Sequence, residues 1–121
     1  MKLYEFELRD GSIAVNEYEV KETEKLYIVQ KNNGHSSYIS YSAYSRVPKD
    51  IVDSGKVLHY LATMFYYSIY NDFAIARDMF ILHLDKNVIP GCNEKIKKAT
   101  EEKEKYEDML KRLLNKANGT N

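Results

Sequence analysis

The sequence predicts an α+β fold in a single domain, 1–121: an N-terminal antiparallel β-meander over 1–70, a first helix over 72–88, and a long, coiled-coil-like C-terminal helix over 92–118. Three features point to it. In the first half, apolar and polar residues alternate with a period of two on either side of an Asp-Gly turn. After Asn71-Asp72 the apolar spacing changes to three and four residues, the period of a helix. From Ile96 onward that spacing settles into heptads.

Strand alternation begins at once, with Tyr4, Phe6 and Leu8 interleaved with Leu3, Glu5 and Glu7 as in a half-exposed strand. Arg9-Asp10-Gly11-Ser12 supplies a hairpin turn, because Asp and Gly tolerate the left-handed backbone of a two-residue loop. A second strand runs from Ile13 to about Val20, followed by the polar connection Lys21-Glu22-Thr23-Glu24. Leu26-Tyr27-Ile28-Val29 is a third strand of β-formers. Lys31-Asn32-Asn33-Gly34-His35 reads as a turn, Tyr38-Ile39-Ser40-Tyr41 as a weaker fourth strand, and Val47-Pro48 as a break. Lys56 to Leu61 and Met64 to Tyr70 carry aromatic and β-branched residues without a polar helical face. They read as strand in one or two pieces, with a buried helix as the alternative.

Asp72 is a good N-cap, and Phe73, Ala76, Phe80 and His83/Leu84 follow at helical spacing. Ile75, Met79 and Leu82 widen the stripe, so this helix is expected to be buried over much of its circumference, and Val88-Ile89-Pro90-Gly91 to end it. The second helix, from about Asn93 to Ala117 with Gly119 beyond, places Ile96, Ala99, Lys103, Tyr106, Leu110, Leu113 and Ala117 on one narrow a/d seam. Such a seam packs on the chain's own first helix or on the same helix of a second subunit. Lys103 in a core-type position is the kind of residue that fixes register or oligomer state. A chain of 121 residues with a small sheet gains core by associating, which favours the oligomer.

Composition narrows the classes of function. With 18 Lys+Arg against 18 Asp+Glu, the chain lacks the cationic excess of a DNA binder or a membrane-surface module. No apolar run is long enough for a membrane span, the Met1-Lys2-Leu3-Tyr4-Glu5 start lacks a signal-peptide core, and Cys92 has no internal disulfide partner. A cytosolic protein is expected. The 11 Tyr are concentrated before residue 71, Tyr106 excepted, and suit either a half-buried sheet or a stacking platform.

Catalytic chemistry finds little to stand on. His35, His59 and His83 are isolated in sequence, so no metal site is expected. Cys92 near a helix start has no base beside it and reads as a small free thiol. The carboxylates of Glu101 to Asp108 alternate with lysines on a solvated, ion-paired helix face, and the five glycines form no phosphate-cradling loop. No cofactor and no enzymatic activity are expected. What stands out is Arg77 three residues before Phe80, with His83 three after. An arginine there needs either an acidic partner such as Asp78 or Asp85, or an anionic ligand. The functional alternative puts a purine- or nicotinamide-type ring on Phe80 and phosphate oxygens on Arg77 or Arg112. Asn93 would read a ring edge, with free N–H groups of the helix start donating to an anion.

The opening Met1-Lys2-Leu3-Tyr4-Glu5-Phe6 strand, the Asp10-Gly11-Ser12 turn and the Glu22-Thr23-Glu24-Lys25-Leu26-Tyr27 segment carry a resemblance, joined by the Tyr-rich strand, Phe80-Ile81-Leu82-His83-Leu84 and the Lys/Glu-rich terminal helix. Across essentially the whole chain they resemble the phage anti-Thoeris sponge family. The resemblance implies a protein of the host cytoplasm that binds a cyclic ADP-ribose isomer and holds it without degrading it, so that the Thoeris effector stays inactive. It also implies self-association through the C-terminal helices, as a dimer or higher assembly up to a hexamer, with pockets at protomer interfaces and separate sites for cyclic oligonucleotides in some members. Phe80, Asn93 and Arg112 match the family's aromatic, amide and arginine contacts, with Lys25 or Arg77 as further phosphate partners and His83 beside them. A different class of function is a protein-binding phage inhibitor or adaptor acting through the Tyr-rich sheet.

Overall fold

The computed structural model describes residues 1–32 and 46–117. The chain groups into two compact units, Met1–His83 and Leu84–Asn121.

The first unit is built on a six-stranded sheet whose neighbours are all antiparallel, in the order β4-β3-β2-β1-β6-β5. Its strands are β1 (Lys2–Arg9), β2 (Ser12–Glu22), β3 (Leu26–Asn32), β4 (Arg46–Pro48), β5 (Leu58–Tyr60) and β6 (Thr63–Ser68). The meander follows the sequence reading, except that Lys31 and Asn32, read as the start of a turn, continue β3 and pair with Glu19 and Tyr18, because β2 is long enough to carry the ladder on; the rest of that turn lies outside the described residues. Asp10 and Gly11 both adopt positive φ, 50° and 78°, and bring Arg9 opposite Ser12, as the Asp-Gly pair requires. The strand expected at Tyr38–Tyr41 lies outside the described residues. Val47-Pro48 is not a break. It belongs to the edge strand β4, where Val47 pairs with Tyr27 and is fully buried, and where Pro48 is tolerated because an edge strand has an unpaired side. The short helix α1 (Lys49–Ser54), absent from the sequence reading, follows directly. It closes on Gly55 at φ 64°, with the Gly55 and Lys56 N–H groups donating to the carbonyls of Val52 and Ile51.

Alternation of side chains gives the sheet two different faces. Leu3, Tyr18, Val20, Tyr27, Phe65 and Tyr67 form one core with Val47, and Ile51 and Val52 of α1 pack against it. On the opposite face Phe6 lies against Tyr66, and Tyr66 against Phe80, with ring centroids 6.1 and 6.4 Å apart. Tyr18, Tyr27, Tyr66 and Tyr67 are therefore core residues, which accounts for much of the tyrosine enrichment without a ligand.

The β5–β6 hairpin turns through Leu61 and Ala62, and Leu61 is held at φ 54° while its side chain is 82% exposed. A left-handed backbone costs an L-residue about 1–2 kcal/mol and costs glycine almost nothing. Leu61→Gly is therefore expected to leave the fold unchanged and to raise its stability by up to about 1 kcal/mol. Urea denaturation checks this; a destabilised variant would show that the leucine makes packing contacts that outweigh its backbone strain.

Helix α2 (Phe73–His83) starts where Asp72 was read as a cap: its Oδ1 accepts the Ile75 N–H at 3.1 Å. The expected burial over most of the helix does not occur. Only Ala76 and Phe80 are buried, while Phe73, Ile75, Ile81 and Leu82 are about half exposed. One sheet face can cover only one stripe of a helix lying on it, and here that stripe is the row through residues 76 and 80.

In the second unit a π-helical turn, Leu84–Val88, leads into α3 (Ile89–Ala117), a helix of 29 residues. Val88-Ile89-Pro90-Gly91 was expected to end a helix and instead begins one. Pro90 has no N–H to give to the turn before it, and that turn is π-helical, an irregularity that accompanies a missing bond in a helix.

Candidate functional site

Phe80, the expected stacking ring, is 2% exposed and edge-on to Tyr66 in the core of the first unit. It offers no open face in this chain. Arg77 and His83, three residues to either side, leave the core: the Arg77 guanidinium lies in solvent 3.7 Å from the Asp78 carboxylate, and His83 is half-buried. Asp78 is thus the acidic partner that the sequence allowed for. The aromatic residue that does stand open beside Arg77 is Phe73, one helical turn earlier on the α2 surface.

Lys25 sits in the β2–β3 turn, exposed, and its carbonyl accepts the Lys49 N–H at 2.9 Å. That turn and α2 are not brought together. Helix α2 packs on β6, which is three strand spacings from β3, roughly 14 Å. In the second unit, Arg112 is exposed and its Nε is 3.0 Å from Asp108 one turn earlier. Asn93 is exposed too, but it does not sit at a free helix start. With α3 beginning at Ile89 and a π-helical turn before it, Asn93 lies a full turn inside the helix, so its neighbouring N–H groups are engaged in backbone bonding.

Two titratable clusters are formed only by strand pairing and tertiary packing. Glu5 reads in sequence as the polar half of an alternating strand, yet it is fully buried. The strand register sets it between Asn16 on β2 and Tyr67 on β6. Its carboxyl accepts hydrogen bonds from the Tyr67 hydroxyl and from Asn16 Nδ2, the latter at 3.4 Å. Burial pushes Glu5 up to about 7, against the lowering effect of those two donors, with Glu7 adding a smaller upward push. The second cluster is His59 of β5 and His83 of α2, whose rings meet edge to face at 6.3 Å. Desolvation first, and His59 second, hold His83 below the ordinary histidine value. Among the described residues no group of three or more His, Cys, Asp or Glu side chains is placed to hold a metal ion.

Among the described residues the most extensive exposed apolar feature is on α3. Ile96, Tyr106, Leu110 and Leu113 of the heptad seam are each more than half exposed, and Met109 and Leu114 flank them. Because α3 starts at Ile89, the seam extends back through Ile89 and the exposed Cys92, which continue the same a/d spacing. Among the described residues no helix is long and apolar enough to cross a membrane. Comparison with protein families, with curated proteins and with solved structures returns no match.

Proposed function

We propose that this protein is a non-catalytic phage protein of the host cytoplasm that assembles through α3 and sequesters a cyclic ADP-ribose-type signalling nucleotide, keeping the Thoeris effector inactive. The exposed α3 seam is the observation that carries the reading. A 29-residue amphipathic helix with its apolar stripe in water gains most of its stabilisation from a partner, so the working form is an oligomer. The polar candidates fit that form. Arg77 in the first unit and, separately, Arg112 and Asn93 in the second project from helices into solvent, where a second subunit can reach each of them. Guanidinium groups bind phosphate oxygens in a bidentate fashion, and Phe73 beside Arg77 supplies an open ring for a base to stack on. Holding such a ligand intact asks for donors and an aromatic face but no nucleophile, general base or metal.

The test is recovery of intact ligand. Purified protein is mixed with a cyclic ADP-ribose isomer, passed through a size-cut filter and then heat-denatured. The nucleotide is expected to stay with the native protein and to return chemically unchanged on denaturation. Ligand that flows through freely, or that returns hydrolysed, overturns the reading. A single stoichiometric host protein captured in place of the nucleotide would shift the reading to a protein-binding inhibitor.

A further inference from the structure

We propose that α3 pairs antiparallel with α3 of a second copy, in the register that sets Lys103 opposite the partner's Tyr106. The inference rests on the self-association proposed above and adds its direction and register; it makes no use of the nucleotide.

Three features of α3 select this pairing. The first is Lys103, an exposed lysine in the middle of an apolar seam. In a parallel, in-register pair each a position meets its own copy, so Lys103 would face the partner's Lys103 in the centre of the interface. In an antiparallel pair a positions meet d positions instead. Lys103 then lies against the partner's Tyr106, whose ring face and hydroxyl both suit an ammonium group, while the lysine stem covers neighbouring apolar surface.

The second feature is the charge on the flanking e and g positions. Glu102 and Glu107 occupy g and e, and a parallel pair sets them against each other across the interface twice, once on each side. The antiparallel register sets Glu102 beside the partner's Met109 and Thr100 beside the partner's Glu107, removing both like-charge contacts. Its remaining like-charge contact, Lys95 with the partner's Lys116, falls at the two solvated ends, where screening is strongest. Sliding the antiparallel pair by one heptad restores a central repulsion: Glu102 meets its own copy in one direction, and Glu107 meets its own copy in the other. The third feature is size. In the chosen register Ala99 faces the partner's Leu110 and Ile96 faces the partner's Leu113, so the small residue is matched with a large one.

Cross-linking reads the direction. In a Cys92→Ser background, a protein carrying Ala99→Cys is mixed with a size-tagged protein carrying Leu110→Cys, and the mixture is mildly oxidised. The expected product is the mixed disulfide dimer, because positions 99 and 110 face each other. Two copies of position 99 would be about 16 Å apart along the axis and unable to bond. Wild-type protein, whose two Cys92 thiols would be roughly 38 Å apart, is expected to remain uncross-linked and to elute with a dimer mass or a multiple of it in light scattering. Disulfides joining two copies of the same variant, or wild-type dimers linked through Cys92, would show a parallel pair and overturn the proposal. So would a monomer mass, or a dimer that gives no cross-link in the mixture. A mixed disulfide in a protein that fails to retain nucleotide would leave the pairing intact and remove the sequestration reading; the reverse pattern would do the opposite.

Discussion

Glu5→Gln is expected to raise the stability of the sheet unit at pH 8 and to flatten its pH dependence. A carboxyl whose folded value is raised binds its proton more tightly in the native state than in the unfolded one. Its contribution is then fully present below the unfolded value of 4.5 and is lost as pH rises through the folded value of about 7. The gap corresponds to about 3 kcal/mol of stability removed between pH 4.5 and pH 8, since one pKa unit is worth 1.36 kcal/mol. Glutamine has the same shape and no charge to desolvate. Its amide oxygen can accept from Asn16, and its N–H groups can donate to the Tyr67 hydroxyl, so the fully buried site stays hydrogen-bonded. His83 acts with the opposite sign. Its lowered value costs stability as pH falls below the ordinary histidine range, and this term survives in the variant. Urea denaturation of both proteins at several pH values between 5 and 8 separates the two. Wild type and Glu5→Gln should converge toward pH 5 and diverge toward pH 8; curves that stay parallel would show that Glu5 is not the group that titrates.

Glu5 also marks where the sequence stops being legible. Period-two alternation locates β1 correctly, and the Asp-Gly pair correctly locates the β1–β2 hairpin, because both are local consequences of backbone geometry. Alternation says only that Leu3, Glu5 and Glu7 share a face. Whether that face meets water depends on what lies over it, and here the face also holds the core built with α1. Strand β4 and helix α1 were missed for a related reason. Arg46-Val47-Pro48 is too short to show a period, and its identity as a strand comes wholly from pairing with β3, distant in sequence. The heptads of α3 are legible from Ile96 onward, since a long helix repeats one local rule, while their first two positions, Ile89 and Cys92, are not. Its start was not: Pro90-Gly91 is the same dipeptide whether a helix begins or ends there. Among the candidate site residues, Arg77 and Arg112 fall on helices as read, each with an acidic neighbour that spacing alone could suggest. The meeting of His59 and His83 could not be read, because it depends on the hairpin β5–β6 lying beside the end of α2.

Phe80 is the residue on which the sequence and the structure disagree most sharply, and its variants can decide between core and ligand roles. Phe80→Ala is expected to destabilise the first unit by about 3–5 kcal/mol, the loss seen when a buried aromatic ring is truncated and its cavity cannot collapse. Domains of this size are stable by only about 5–15 kcal/mol, so the variant should be partly unfolded or unfold at markedly lower urea. That result alone would not exclude contact with a ligand, because an unfolded protein binds nothing. Phe80→Leu resolves it. Leucine keeps apolar bulk in a site that is closed to solvent and should cost roughly 1–1.5 kcal/mol, leaving the protein folded. On the sequestration proposal, if Phe80 is core alone, the leucine variant is expected to match wild-type retention of a cyclic ADP-ribose isomer, while Phe73→Leu, which removes the exposed ring beside Arg77, is expected to weaken it. If Phe80 is the stacking platform, the order reverses: the leucine variant folds, loses the nucleotide, and Phe73→Leu is without effect. A ring that is 2% exposed and held edge-on to Tyr66 favours the first outcome, and retention measured on the two leucine variants side by side gives the answer.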